Sequence, residues 1–244
     1  MKDTLLEKIL SLLDLESKRQ YDILDLGCGS GDLLARVSGN VAPGSSLIGI
    51  DAMKQHIDQA KKSYPHMDFR QEKSIDSFPF PDAAFDIVVS VDTLECIPDK
   101  TALVEEVARV LRPTGSILFA HWDWDTQAYN SEHKEVIRKF VAEFSDWQQG
   151  WMDASDGQMG KRLWGLFEGS GLFRGFMESF TLLETQYEKG QYGFDRLQDL
   201  AGLVKPGKIG ETEYEMICDE MTTLAKNKRY FYSVNSYIYV GGKA

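Results

Sequence analysis

Three glycines at alternate positions follow a strand-type run in Ile23-Leu24-Asp25-Leu26-Gly27-Cys28-Gly29-Ser30-Gly31-Asp32. Glycines at this spacing remove side chains where a ligand must lie against the backbone, and they allow the positive φ of a tight turn. A helix after such a turn offers free N–H groups and a partial positive charge to an anionic ligand group. A dinucleotide fingerprint, G-x-G-x-x-G, would place its third glycine at position 32, which is Asp32. An acid that close to a pyrophosphate is electrostatically unfavourable, so the loop suits a ligand without phosphates. Asp51 closes the next strand-type run, Leu47-Ile48-Gly49-Ile50-Asp51, where a carboxylate can accept hydrogen bonds from both ribose hydroxyls. Asp51 could alone be a helix N-cap ahead of Met53. Joined to the glycine loop, it describes a site for a nucleoside with a carboxylate tail.

A second cluster with chemical potential is His121-Trp122-Asp123-Trp124-Asp125. If a strand continues through it, His121, Asp123 and Asp125 share one face, and Trp122 and Trp124 the other. A substrate-facing acid/base or anchoring cluster competes here with an ordinary strand-end patch. A metal site is disfavoured, because no further ligand pairing is visible in the sequence. His121 is the best single candidate for a base, since an unperturbed imidazole, pKa ~6.5, accepts a proton near neutrality. His56, His66 and His133 fall in helix or turn contexts where exposure is the expectation.

These residues need a scaffold, and the hydrophobic pattern supplies one. Strand-type runs at 21–26, 47–51, 87–91 and 116–121 alternate with helical patterns at 33–37, 53–64 and 101–111. Such alternation implies βαβ crossovers and a mostly parallel sheet covered on both faces. Residues 101–111 end at Arg112-Pro113-Thr114-Gly115, a helix stop followed by a turn into the next strand. Leu5, Leu6, Ile9, Leu12 and Leu13 recur at helical spacing in a leading amphipathic helix over residues 3–15. After Trp122 the alternation is lost until strands at 176–184 and 230–240, with helical stretches at 194–203 and 212–225. One domain is expected: a leading segment 1–20, a ligand-binding core 21–121, and inserts 122–170 and 185–228 that form an aromatic lid over the cleft.

Composition narrows the functional classes. With 244 residues, 43% hydrophobic and 27% charged, the chain reads as globular and long enough to bury a core without a disulfide or metal staple. Thirty-eight acids against 27 bases leave a net charge of −11, which disfavours nucleic acid as a partner. No run approaches the ~20 apolar residues of a membrane span. Cys28, Cys96 and Cys218 share no metal or CxxC spacing, and their odd number argues against a disulfide framework. Cys96 reads as a packing residue rather than a nucleophile. A reducing, cytoplasmic setting is the expectation, without a signal peptide.

Taken together, the motifs resemble those of class I S-adenosylmethionine (SAM)-dependent methyltransferases, in the small-molecule group that includes the ubiquinone and menaquinone C-methyltransferases. The matching residues are Leu24 to Gly31, Gly49-Ile50-Asp51, Phe78-Pro79-Phe80-Pro81-Asp82-Ala83-Ala84-Phe85-Asp86, Leu94-Glu95-Cys96-Ile97-Pro98-Asp99 and Arg109-Val110-Leu111-Arg112-Pro113-Thr114-Gly115. They cover about residues 20–121. The resemblance implies a Rossmann-like α/β fold with a seven-stranded, mostly parallel sheet, SAM as cofactor and methyl transfer to a small organic acceptor. By that resemblance Asp25, Gly27, Cys28 and Gly29 hold the methionine moiety, Asp51 the ribose and Met53 the adenine, with Val91 also in the cofactor site. Ser74 stands where the family often has an adenine-binding Asp, and Ile75 supplies an apolar wall. Trp122, Asp123, Trp124 and Asp125 are the acceptor-binding candidates. The alternatives are a SAM-binding protein of this fold without transfer activity and a C-methyltransferase of quinone biosynthesis. A nicotinamide oxidoreductase is disfavoured by Asp32 and by the absence of a Tyr-x-x-x-Lys pair. A homodimer is compatible with the sequence.

Overall fold

The computed structural model describes residues 2–73 and 77–244. Its elements are α1 (Lys2–Leu13), β1 (Asp22–Leu26), α2 (Asp32–Ser38), β2 (Ser46–Asp51), α3 (Lys54–Ser63), β3 (Asp68–Gln71), β4 (Phe85–Val91), α4 (Lys100–Val110), β5 (Leu111–Tyr129), α5 (Lys134–Ser145), α6 (Met159–Ser170), β6 (Phe173–Glu184), α7 (Tyr192–Asp199), α8 (Ala201–Val204), α9 (Glu211–Lys226) and β7 (Tyr232–Lys243). The strands form one sheet in the order β3-β2-β1-β4-β5-β7-β6. Pairings from β3 through β5 are parallel, and β7 runs antiparallel to both β5 and β6.

The continuous apolar runs of β1 and β4 are explained by burial on both faces of the sheet. Successive residues divide between two cores, as the period of a strand requires. Ile23, Leu118 and Trp122 pack with Ile9, Leu34, Ile57 and Tyr232 on one face. Leu24 and Phe119 pack with Leu103, Val107, Leu163 and Phe167 on the other. After β1 the chain turns outward to β2 and β3, then crosses back to β4 on the opposite side. That reversal opens a crevice beyond the carboxyl ends of β1 and β4, where open α/β sheets bind ligands.

Two expectations need correction. β5 does not stop at residue 121: it pairs with β7 from Ser116↔Gly242 to Asp123↔Asn235, shifts register, and resumes at Ala128↔Ser233. The segment 122–129 therefore belongs to the sheet, and the insert begins after it. The Pro-Gly segment is also already part of this strand. Leu111 pairs with Phe85, and a register shift then carries the pairing to Ile87↔Ser116. A Cβ on Gly115 would lie 2.7 Å from Leu111 Cδ1 and 2.9 Å from the Asp86 carbonyl, so the irregularity needs glycine there. β3 carries almost no sequence signal, because only Phe69 of its four residues is buried.

Candidate active site

The glycine loop forms because β1 must turn sharply into α2. Gly27, Gly29 and Gly31 have φ of 74°, 52° and 84°, the left-handed region that side chains disfavour. The loop folds back on β2: the N–H groups of Gly27 and Cys28 both donate to the Ile50 carbonyl, at 2.8 and 3.0 Å. Gly29 N–H donates to Asp51 Oδ2 at 3.0 Å. The donors of Gly27 and Gly29 are thus engaged within the protein. What the loop offers a ligand is close backbone approach, and at Gly29 a Cβ would meet no atom within 4 Å. Asp32 accepts from Ser30 Oγ at 2.7 Å and Tyr64 OH at 2.8 Å, which keeps a carboxylate at the loop's exit.

A cavity of about 440 Å³ opens at this point, with Asp25, Gly27, Cys28, Gly29, Asp51, Met53 and Val91 in its wall. Asp51 Oδ1 accepts from Met53 N–H at 2.8 Å, and Oδ2 is also 3.1 Å from His56 Nδ1. Asp25 is 2% exposed, and its Oδ2 is fully buried without a hydrogen-bond donor. Burial, with the Asp51 charge second, pushes its carboxyl up to about 8. A buried carboxylate aimed at a cavity and lacking a donor suits a ligand that brings a cationic donor of its own. Cys28 is also buried, and its thiol is pushed far up by that burial and by Asp25 and Asp51, so it is a wall rather than a nucleophile. Ser74 and Ile75 lie outside the described residues.

Phe78 closes one side of the cavity, and α4 holds its segment in place. Phe78 N–H donates to Glu106 Oε1. Arg109 Nε donates to Glu106 Oε2 at 2.7 Å, while its Nη1 donates to the Phe80 carbonyl at 2.9 Å. The Arg109 guanidinium holds the Glu106 carboxyl below the usual carboxylate range. The resembling Phe78–Asp86 and Arg109–Gly115 segments are thus tied to one another across α4.

At the other end the wall is formed by Leu5 and Leu6 of α1, Asp92, Trp122, Trp151, Asp153 and Tyr192. Trp122 is the one acceptor candidate that lies in it, with the Tyr192 ring centroid 5.2 Å away. Trp124 faces the same side but packs deeper, 5.4 Å from Phe144. Asp123 and Asp125 project to the opposite face and meet α6: Asp123 Oδ2 accepts Lys161 N–H at 3.1 Å, and Lys161 Nζ lies 3.3 Å from Asp123 and 3.0 Å from Asp125. Neither reaches the cavity, because β5 runs on past residue 121 and turns both toward α6. His121 is wholly buried behind Asp92, with Nε2 3.5 Å from Asp92 Oδ1, and does not line the cavity. Glu95 stands beside it, its carboxyl pushed up to about 7 by burial and by Asp92. Cys96 lies in the wall with its thiol pushed up to about 12, chiefly by burial, as a packing residue would be.

Sequence reasoning missed Asp92 as a wall residue. Asp92 carried a usable signal, since it is an acid at the carboxyl end of β4, one position past the strand, as Asp51 is the acid that ends β2. The three cysteines are unpaired. No described helix is long and apolar enough to cross a membrane.

Residues 17–196 match the family model for a methyltransferase domain, and the chain belongs to that family. A demethylmenaquinone methyltransferase of Lactobacillus johnsonii is 32% identical over 99 residues, 38% of this chain and 41% of that protein. The nocamycin O-methyltransferase of Saccharothrix syringae is 33% identical over 112 residues, 43% of this chain and 40% of that protein. The chain spans about two fifths of the length of the curated relatives it matches. In fold it is similar to the crystal structure of the YcgJ protein of Bacillus subtilis, with a TM-score of 0.60 at 19% identity over 98% of this chain and 97% of that one. The architecture is the Rossmann-like one of solved SAM-dependent methyltransferases.

Proposed function

We propose that this chain is a SAM-dependent methyltransferase acting on a small organic acceptor. The observation that carries the reading is Asp25, a residue of the cavity wall beside the glycine loop and Asp51 whose buried Oδ2 has no donor within the protein. The amino group of the methionine moiety would satisfy it, Asp51 would accept from the ribose hydroxyls, and Met53 and Phe78 would flank the adenine. The Gly29 position leaves the backbone open for the amino-acid portion to pass.

A bound SAM supplies a methyl carbon already activated by its sulfonium sulfur. The protein's part is alignment and shielding, which by itself can account for much of the barrier reduction in a displacement of this kind. Trp122, Tyr192, Leu5 and Leu6 form an apolar wall where the acceptor would meet the methyl group, and they keep water from it. Asp92 and Asp153 are the cavity-facing acids at that end, so they, and not His121, are the groups in position to receive an acceptor proton. The demethylmenaquinone and nocamycin methyltransferases match over about 100 residues. The local acidity of Asp92 and Asp153 argues against a polyanionic substrate, and the unpaired cysteines favour a reducing cytoplasm. Labelled SAM incubated with a panel of hydroxylated and amino-bearing small molecules tests the reading. Label transfer that Asp51→Ala abolishes supports it, and SAM binding without transfer to any member counts against it.

A further inference from the structure

We propose that Asp92, Glu95 and His121 form a divalent-cation site at the acceptor end of the cavity. The three come from separate places in the chain: Asp92 from the turn leaving β4, Glu95 from the short 3-10 turn before α4, and His121 from the middle of β5. One ligand atom from each lies within 4.8 Å of the others. Bonds of about 2.0–2.2 Å to a common ion put ligand atoms about 3–4 Å apart, so closing the set needs only small side-chain rotations.

His121 carries the argument beyond a group of acids. Its side chain is fully buried, and Nδ1 lies 2.7 Å from the Trp122 carbonyl. A carbonyl only accepts, so Nδ1 bears the hydrogen and donates it. Nε2 lies between two groups, at a long 3.4 Å from the Glu95 N–H and at 3.5 Å from Asp92 Oδ1. Asp92 Oδ1, 3.5 Å away, is itself buried and has no hydrogen-bond donor. An imidazole nitrogen and a carboxylate oxygen facing one another repel unless a proton or a metal ion stands between them. Glu95 Oε2 is oriented from behind by Trp124 Nε1–H at 3.1 Å. Ligands fixed by outer hydrogen bonds, with lone pairs converging from different elements, are the pattern of a metal site. Two carboxylates and one imidazole suit a first-row divalent ion such as Mn²⁺ or Zn²⁺. The metal reading set aside in the sequence for lack of partner ligands thus regains them from the fold.

Because Asp92 also faces the cavity, an ion held here would favour an acceptor that offers an oxygen, which it could polarise. That consequence rests on the methyl-transfer reading; the site does not. Mn²⁺ titrated into the full chain without nucleoside, with free Mn²⁺ followed by electron paramagnetic resonance, tests it. One saturable site per chain is expected, displaced by Zn²⁺ and weakened about 10- to 100-fold in Asp92→Asn and in Trp124→Phe, which removes the donor to Glu95 together with part of the indole packed on Phe144. Asp92 is half-exposed, so its variant will fold even where a core change does not. No saturable binding of Mn²⁺ or Zn²⁺, binding unchanged by Asp92→Asn, or ¹⁵N shifts showing a His121 imidazolium that Zn²⁺ leaves unaltered would each overturn the proposal. S-adenosylhomocysteine binding, measured in the same preparations, keeps failure of this site separate from failure of the nucleoside reading.

Discussion

Gly29 donates its backbone N–H to Asp51 Oδ2 across the gap between the first loop and the end of the second strand. The carboxylate that the sequence reads as a ribose partner therefore also holds the glycine loop in shape. Asp51→Ala is expected to lose two things at once. Hydrogen bonds to a charged group contribute about 1.5–3 kcal/mol, so S-adenosylhomocysteine affinity should fall about 10- to 100-fold. The melting temperature should fall as well, because the Gly29 and Met53 donors lose their acceptor. Calorimetric titration and thermal melts of the variant check both.

Gly27 and Gly29 should respond differently to the same substitution. A Cβ on Gly27 would lie 2.0 Å from Thr93 Oγ1 and within 2.8 Å of two more Thr93 atoms, at φ 74°. Gly27→Ala is expected to destabilise the fold by several kcal/mol. Gly29→Ala meets open space, so its cost is limited to about 1–2 kcal/mol of left-handed backbone strain. Its methyl group instead occupies room the ligand needs, and binding should weaken more than stability. Equal effects of the two substitutions on stability would contradict this assignment.

The Asp25 carboxyl makes stability depend on pH in a particular direction. An unfolded Asp titrates near ~3.9, whereas burial raises the folded group to about 8. Between these values the folded chain holds a proton that the unfolded chain has released. The contribution is fully present below about pH 4 and is lost as pH rises through about 8. Asp25→Asn should flatten that decline in thermal melts taken from pH 5 to 8.5. A profile unchanged by the substitution would remove Asp25 as the cause.

Glu106 is the anchor of the Phe78 segment. Glu106→Gln takes the charge from its contact with Arg109 and weakens the hold on Phe78 N–H. The expected loss is about 1–3 kcal/mol, which in a chain of this size lowers the melting temperature by several degrees. Ligand affinity should fall too, since Phe78 lines the cavity. Differential scanning calorimetry with and without S-adenosylhomocysteine separates the two effects.

The parts of this fold that announce themselves in sequence are those whose physics is local. β1, β2 and β4 read as strands because both of their faces are buried, and the glycine loop reads as a turn because only glycine tolerates its dihedrals. β3 was silent because three of its four residues are not buried. The far half of β5 was hidden by Asp123, a charged residue at 0% exposure whose burial depends on Lys161, 38 residues later. The same long-range dependence separates the two ends of the site. Asp25, Asp51 and Met53 sit within one βαβ unit, and their convergence follows from its geometry. Leu5, Asp92, Trp122 and Tyr192 come from four distant segments, and only the folded sheet brings them to one cavity.

The central claim is that the crevice beyond the carboxyl ends of β1, β2 and β4 binds an adenosyl amino acid through Asp25 and Asp51. Isothermal titration with S-adenosylhomocysteine, beside a parallel titration with NAD, measures it most directly. The account predicts saturable binding of the nucleoside at one site per chain, weakened about 10- to 100-fold on replacing Asp51, and no heat from the dinucleotide. Saturation by NAD with none by S-adenosylhomocysteine would contradict it.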